Sequence, residues 1–511
     1  MMTSLAGGYD AAAPSLRYVA PHCRKGVRDT SKTTNQGLAK RPIRIGFFSV
    51  YLRYHSVGKM MSRLIVLLTE NPSLEVHVFA PGGDVGGSDN GNGSKAGEEA
   101  RAEVGNDPVV NSLQSAVHHW HQTPRGLHLA RSAVSQEELD VLVYPDLGME
   151  PLTYFLAFAR LAPVQCVWWG HPVTPSTGAI DYFLSLDVEL QEAQDDYLEQ
   201  MVRMDVLNTA SFRKMDAWTG SLGLASELSE ENITHDIETS SSLASGSRES
   251  LDPPGPATTK PSPANITDVF NMALPHANLA AVEAEKNAVN AVAAAATAAA
   301  TTNAEPGAVN SEPGAGIPCR RNYMVLGRLF KLHPDFDDAI EGILVGDADG
   351  CVVLIHETTD EEWTRMVWSR LRDMLVSRGL LSRLRIMHHW LYPQALRSAT
   401  AVLDTFPYGG CLTVLEGLSN GVPVVTLPAK FVKGRFALAI YRQMGYTELV
   451  ADDVKGYVSL AVRLGKEKGF REEVVAKVED AYRESLHKHQ ESAHEWAAFL
   501  VRAHRDAEFN R

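Results

Sequence analysis

The chain has 511 residues, enough for two or three domains with separate cores. With 44% hydrophobic and 22% charged residues it reads as an ordinary soluble fold. The net charge of −14 excludes a general polyanion binder, because phosphate-backbone affinity needs clustered Lys and Arg, but it leaves room for a local pocket for one small anion.

The five cysteines, Cys23, Cys166, Cys319, Cys351 and Cys411, are scattered and form no CxxC pair. They indicate neither a disulfide framework nor a structural zinc site, and they suit a reducing compartment. No secretory signal and no run of about 20 strongly apolar residues is present, so a soluble protein is expected. Residues 1–41 carry Arg17, Arg24, Lys25, Arg28 and Lys32 among Ser and Thr, and read as an unstructured leader or a transit peptide.

In chain order, "IRIGFFSV" from Ile43 is a short apolar run of the kind buried in parallel sheets, with a helical pattern from about Ser56. "LEVHVFAP" predicts a second strand, and the glycine-rich stretch from Gly82 a mobile loop. "LDVLVYPDLG", "PVQCVWWG" and "IDYFLSLD" are further strands, with a helix around Leu152 to Arg160. These predict a Rossmann-like α/β domain over 42–214. Residues 215–318 are rich in Ser, Thr, Asn, Ala and Pro, nearly without aromatics, and read as a low-complexity, largely disordered insertion. A second α/β domain over 319–485 contributes "NYMVLGRLF", "CVVLIHE", "LRIMHHW", "AVLDTF" and "PVVTLP" as strands, and 486–511 adds a C-terminal helix. In doubly wound domains ligands bind at the carboxyl ends of strands, commonly between domains.

Four stretches carry candidate chemistry. In "LDTFPYGGCLTVLEGLSNG", Gly409 and Gly410 sit at a loop-to-helix junction, where backbone N–H groups and the helix dipole suit a phosphate or diphosphate. Thr413 and Glu416 share a helix face, so Glu416 could accept from ribose hydroxyls one turn down. An ordinary helix with a tight entry turn fits the same pattern. "GRLFKLHPDFD" places Arg328 and Lys331 at a strand's carboxyl end, and a compact ammonium suits a leaving diphosphate; surface cations are the alternative. "SVYLRYHSVGKM" puts His55 just before a helix, and "WWGHPVTPSTG" puts His171 in a Gly/Pro-rich turn; each could face the interdomain cleft or be structural. "HHWH" at His118 to His121 lacks the i, i+4 spacing a metal needs on a helix, and no carboxylate set accompanies it. No Walker A lysine, GxSxG elbow or dinucleotide fingerprint is present.

Together, "IRIGFFSVYLRYHSVGK", "DVLVYPDLGMEPLTYFLAFARLAPVQCVWWGHPVT", "LGRLFKLHPDFD" and "LDTFPYGGCLTVLEGLSNGVPVVTLPAKFVKGRFALAIYRQMG" resemble the catalytic region of the protein O-GlcNAc transferases, glycosyltransferase family 41, especially its SPINDLY-like branch. The resemblance covers most of both halves in the right order. It implies a GT-B fold, two Rossmann-like doubly wound domains facing a cleft. It also implies transfer with inversion from a nucleotide sugar, usually UDP-GlcNAc, to Ser or Thr hydroxyls of proteins, without an essential metal or cofactor. Some SPINDLY members use GDP-fucose, so that donor stays open.

By position the resemblance implies Lys331 for the diphosphate and Glu416 for the ribose. It makes His55 the active-site histidine at the first domain's mouth. Arg328 stands where a glutamine is usual. Leu412 and Thr413 stand where the family has a polar pair. His389 and Tyr392 stand where animal enzymes have a lysine and a histidine near the uracil. Arg328 and Leu412 keep a degenerate, non-catalytic nucleotide-binding protein as an alternative. The expected partners are a nucleotide sugar and acceptor proteins, not nucleic acid or membrane, in the cytoplasm or nucleus. The roughly 40 residues before Ile43 cannot hold two tetratricopeptide repeats of about 34 residues each.

Overall fold

Short runs of Val, Ile, Leu and Phe, apolar on both faces, pair in parallel when helices can cover each side. The chain does this twice in a computed structural model that describes residues 16–24, 41–82, 107–208, 319–356, 361–388, 392–485 and 488–509. The glycine-rich loop after Gly82, the 215–318 insertion and His389 therefore fall, wholly or largely, outside the described residues.

The first sheet has seven strands: β1 (Ile43–Phe48), β2 (Leu74–Pro81), β3 (His119–Thr123), β4 (Val141–Tyr144), β5 (Val164–Trp168), β6 (Tyr182–Leu186) and β7 (Gln200–Met204). Their order is β3-β2-β1-β4-β5-β6-β7, with parallel pairing throughout. The second sheet holds β8 (Arg321–Val325), β9 (Gly350–His356), β10 (Leu384–His388), β11 (Ala401–Leu403) and β12 (Val424–Val425), ordered β10-β9-β8-β11-β12 and also parallel. Each order reverses once, between β1 and β4 and between β8 and β11. These are the switch points where doubly wound folds open a ligand crevice.

Helices cover both sheets. In the first half they are α1 (Ser56–Thr69), α2 (Pro108–Ala116), α3 (Leu127–Gln136) and α4 (Pro151–Leu156). The second half contributes α5 (Asp337–Gly346), α6 (Glu361–Val376), α7 (Tyr392–Arg397), α8 (Leu412–Ser419), α9 (Phe436–Met444), α10 (Val454–Lys466), α11 (Lys468–Ser485) and α12 (His489–Phe509). Helix α1 buries Met60, Met61, Leu64, Ile65, Leu67 and Leu68, the stripe expected of a helix lying on a sheet. Gly421 and Gly445 end α8 and α9 with φ of 71° and 70°, where a side chain would be strained.

Two features differ from the sequence reading, and a third adds to it. Within the segment read as a leader, residues 16–24 pack on the first domain: Ala20 is buried, and its N–H donates to Arg160 O at 2.9 Å. Cys319 and Cys351 form a disulfide, with Cα atoms 5.6 Å apart. Separation by 32 residues hides the pair in the sequence, but β8 and β9 run side by side with Arg321 opposite Gly350, which brings the two cysteines together. The C-terminal helix α12 returns to the first domain, where Phe499 meets the Tyr182 ring edge-on at 5.4 Å and Glu495 accepts from the backbone of Asp205 and Val206. Among the described residues no helix is long and apolar enough to cross a membrane.

Candidate active site

Strand β11 ends at Leu403, and the next residue, Asp404, organises the glycine loop. Its Oδ1 accepts from the Gly410 N–H at 2.8 Å and its Oδ2 from the Thr426 hydroxyl at 2.8 Å. The Gly409 N–H donates to Lys433 O at 2.9 Å. A Cβ on Gly409 would come within 2.9 Å of Asp404 Oδ2, and one on Gly410 within 2.1 Å of Thr413 Oγ1. The glycines are therefore required by close packing inside the loop, and their N–H groups are engaged there. This corrects the expectation that they face a diphosphate. What α8 offers an anion is its own first turn at Leu412 and Thr413, since its N-cap residue Cys411 contributes no side-chain cap.

Two lysines border that turn. Lys331 closes the 3₁₀ turn after β8, with Nζ 3.4 Å from Gly409 O and 4.2 Å from the centre of the Tyr408 ring. Lys433 approaches the same ring at 5.7 Å. Burial pushes the Asp404 carboxyl up to about 6, against the Gly410 and Thr426 hydrogen bonds and the Lys331 charge. One turn into α8, Glu416 Oε2 accepts from the Tyr392 hydroxyl at 2.5 Å. Burial raises both groups, and the Glu416 carboxylate raises the Tyr392 phenol further. Sequence reasoning placed Glu416 at the ribose and Tyr392 near the base, adjacent parts of one nucleoside, and the structure pairs the two side chains.

The first domain meets this turn with α1. His55 caps that helix, its Nδ1 accepting from the Val57 N–H at 3.3 Å while the ring lies 4.4 Å from Tyr51. Burial, then the charges of Arg53, Lys59 and Arg328, lower its pKa to about 4. A neutral ring accepting at Nδ1 carries its proton on Nε2, so His55 presents a donor. Arg328 of the second half acts on His55, and Lys59 of the first half acts on Glu416. Cys411 Sγ lies 3.8 Å from Met60 Sδ, so the first turns of α1 and α8 face each other across the domain junction.

His171 stands on the same side. Its Nδ1 lies 3.1 Å from Leu147 O, packed against Gly148, and Lys433 helps burial lower its pKa. With Nδ1–H donated to a carbonyl, Nε2 is left as an acceptor. Thus His55, His171, Arg328, Lys331, Tyr392, Gly409, Gly410, Leu412, Thr413 and Glu416 all lie on the elements bordering one junction.

Sequence reasoning missed Asp404, Lys59 and Lys433. Asp404 did have a signal, a lone carboxylate between an apolar strand and a glycine pair. It also missed Asp146, fully buried after β4, whose carboxyl burial pushes up to about 7. The "HHWH" segment needs a correction as well: His119 to Thr123 form β3, not a helix. On a strand alternate residues share a face, and His119 and His121 meet His77, Glu75 and Glu137 there.

Two parallel sheets whose switch points meet at one junction, with a lysine and an uncapped helix on one side and a histidine-capped helix on the other, define the GT-B glycosyltransferase architecture. An O-GlcNAc transferase of Thermobaculum terrenum shares that fold, with a TM-score of 0.58 over 91% of this chain and 68% of its own at 20% identity. Residues 395–494 match the family model Glycosyl transferase family 41. Probable UDP-N-acetylglucosamine–peptide N-acetylglucosaminyltransferases SPINDLY are similar too. The Petunia hybrida protein is 37% identical over 65 residues, 13% of this chain and 7% of its own length. The Hordeum vulgare protein is 33% identical over 95 residues, 19% of this chain and 10% of its own length. The family-model match by sequence is therefore confined to residues 395–494, and the matches span a tenth or less of these curated relatives.

Proposed function

We propose that the protein is an inverting glycosyltransferase that moves GlcNAc from UDP-GlcNAc to Ser or Thr hydroxyls of proteins. The observation that carries this reading is the convergence of Lys331, Lys433 and the uncapped α8 turn opposite His55 and Lys59. In the transfer, the acceptor oxygen attacks the anomeric carbon as its bond to the diphosphate oxygen breaks, and negative charge grows on the departing diphosphate. Lys331 and the first-turn N–H groups of Leu412 and Thr413 are preorganised to stabilise that charge. Glu416 accepts from the ribose. His55 donates from Nε2 to a sugar or phosphate oxygen. The acceptor's proton passes to a phosphate oxygen or to Nε2 of His171, the acceptor nitrogen at this junction. The donor's identity, the protein acceptors and a cytoplasmic or nuclear location belong to the same proposal.

GDP-fucose as donor is the second reading, because His389 and Tyr392 stand where animal enzymes have a lysine and a histidine near the uracil. Incubation with labelled UDP-GlcNAc and GDP-fucose, each with a mixture of protein acceptors, separates the two. Transfer from UDP-GlcNAc is expected; transfer from GDP-fucose alone would replace the donor and keep the fold-based mechanism. Hydrolysis or transfer with neither donor, together with no thermal shift on adding UDP or GDP, would favour a degenerate protein.

A further inference from the structure

We propose that Glu75, His77 and His119 form a binding site for one divalent transition-metal ion of the zinc class, at the edge of the first sheet and away from the domain junction. The strand geometry builds it. Glu75 and His77 alternate onto one face of β2, and the parallel register sets His119 of β3 directly beside His77. The three ligand atoms lie within 4.8 Å of one another. Glu75 Oε1 is 3.3 Å from His77 Nε2 and 3.0 Å from His119 Nε2. Ligands held at about 2.0–2.1 Å around a tetrahedral ion are about 3.3 Å apart, so the set needs little movement to close on one.

A second observation points the same way. His77 is 2% exposed, and its Nε2 faces Glu75 Oε1 at 3.3 Å outside good hydrogen-bond geometry. A buried imidazole nitrogen so poorly paired is costly, and a cation between the two groups would satisfy both. The other ring nitrogen is already oriented: His77 Nδ1 lies 3.1 Å from His121 Nε2, and His121 Nδ1 lies 3.7 Å from Glu137 Oε1. His121 is thus the outer-shell partner that orients a ligating histidine, with Glu137 at ion-pair distance beyond it. Arg44 Nε sits 3.7 Å from the free oxygen of Glu75 and balances its charge. His118 is not part of the set, since its Nδ1 accepts from the Val76 N–H at 3.1 Å.

The alternative trio of His77, His121 and Glu137 fits less well. Both of its carboxylate contacts are 3.7 Å, and its two imidazoles already pair with each other. Two imidazoles and one carboxylate select zinc, cobalt or nickel over magnesium or calcium. The site lies near the amino ends of β2 and β3, whereas the domain junction lies at carboxyl ends, so the ion would pin an edge strand and take no part in transfer.

The test uses the full chain, stripped with a chelator, dialysed and titrated with Zn²⁺ by calorimetry, with metal content measured after gel filtration. About one Zn²⁺ per chain is expected, with a higher thermal transition when it is bound. His119 is half exposed, so His119→Ala should fold, as circular dichroism would verify, and should lose more than about 100-fold in affinity, beyond the 10- to 100-fold typical of an outer-shell change. His121→Ala should fall within that outer-shell range. No stoichiometric uptake by the folded wild type would overturn the site. So would unchanged affinity in His119→Ala, or a loss confined to His121→Ala and Glu137→Gln, which would move the ion to the other trio.

Discussion

A carboxylate that burial drives toward neutrality governs the loop at the centre of the site. Asp404 holds Gly410 and Thr426 together, so Asp404→Ala would leave both donors buried and unpaired. A loss of about 2–4 kcal/mol of stability is expected by chemical denaturation, because each orphaned buried donor costs about 1–3 kcal/mol; a change below about 0.5 kcal/mol would mean the loop stands without its anchor. Its folded pKa of about 6 lies above the ordinary 3.8, so the fold holds the proton more tightly than the unfolded chain. The stability this adds is full in acid and is lost as the pH rises through that window. His55 has the opposite sign. Its folded pKa of about 4 lies below 6.5, so its contribution is full near neutrality and is lost as the pH falls from 6.5 toward 4. An NMR titration of the His55 ring should find its midpoint near 4; a midpoint near 6.5 would contradict its burial beside Arg53, Lys59 and Arg328.

At the scale of elements, the first turn of α1 works because residue 58 has no side chain. A Cβ on Gly58 would stand 2.0 Å from the Arg53 carbonyl oxygen and 2.8 Å from the Arg53 nitrogen, both rigid backbone. Gly58→Ala should therefore open the turn that presents His55, costing about 1–3 kcal/mol in thermal stability and lowering transfer. A variant as stable and active as the wild type would show that the turn adapts freely. Elements with strong apolar patterns were legible in the sequence: the runs at β1, β2, β4, β5 and β6 and the pattern of α1 all lie where their residues predict. Strand β3 was not. It is a five-residue edge strand of mostly polar side chains, with only Thr123 buried, so apolar runs cannot reveal it. The glycine pair was legible as a tight turn, but only the structure shows Asp404 and Lys433 taking its N–H groups.

Across the whole molecule, the junction depends on contacts between residues far apart in sequence. Arg435 donates to Val188 O at 2.5 Å, Lys430 pairs with Asp196 at 3.0 Å, and Phe436 lies 4.7 Å from the Trp169 ring. Helix α12 closes back on the first domain. No local pattern encodes such pairings, and for the same reason the Cys319–Cys351 bond, the packed residues 16–24 and the order of strands were not legible, whereas the two doubly wound α/β halves were. The junction is where one domain's lysine and helix meet the other's histidine-capped turn, and a comparison of sugar transfer between wild type and Lys331→Ala tests that account most directly. Removing one preorganised charge partner should lower the transfer rate from UDP-GlcNAc about 100- to 1,000-fold while the thermal transition stays within a few degrees. Full transfer by Lys331→Ala would contradict it.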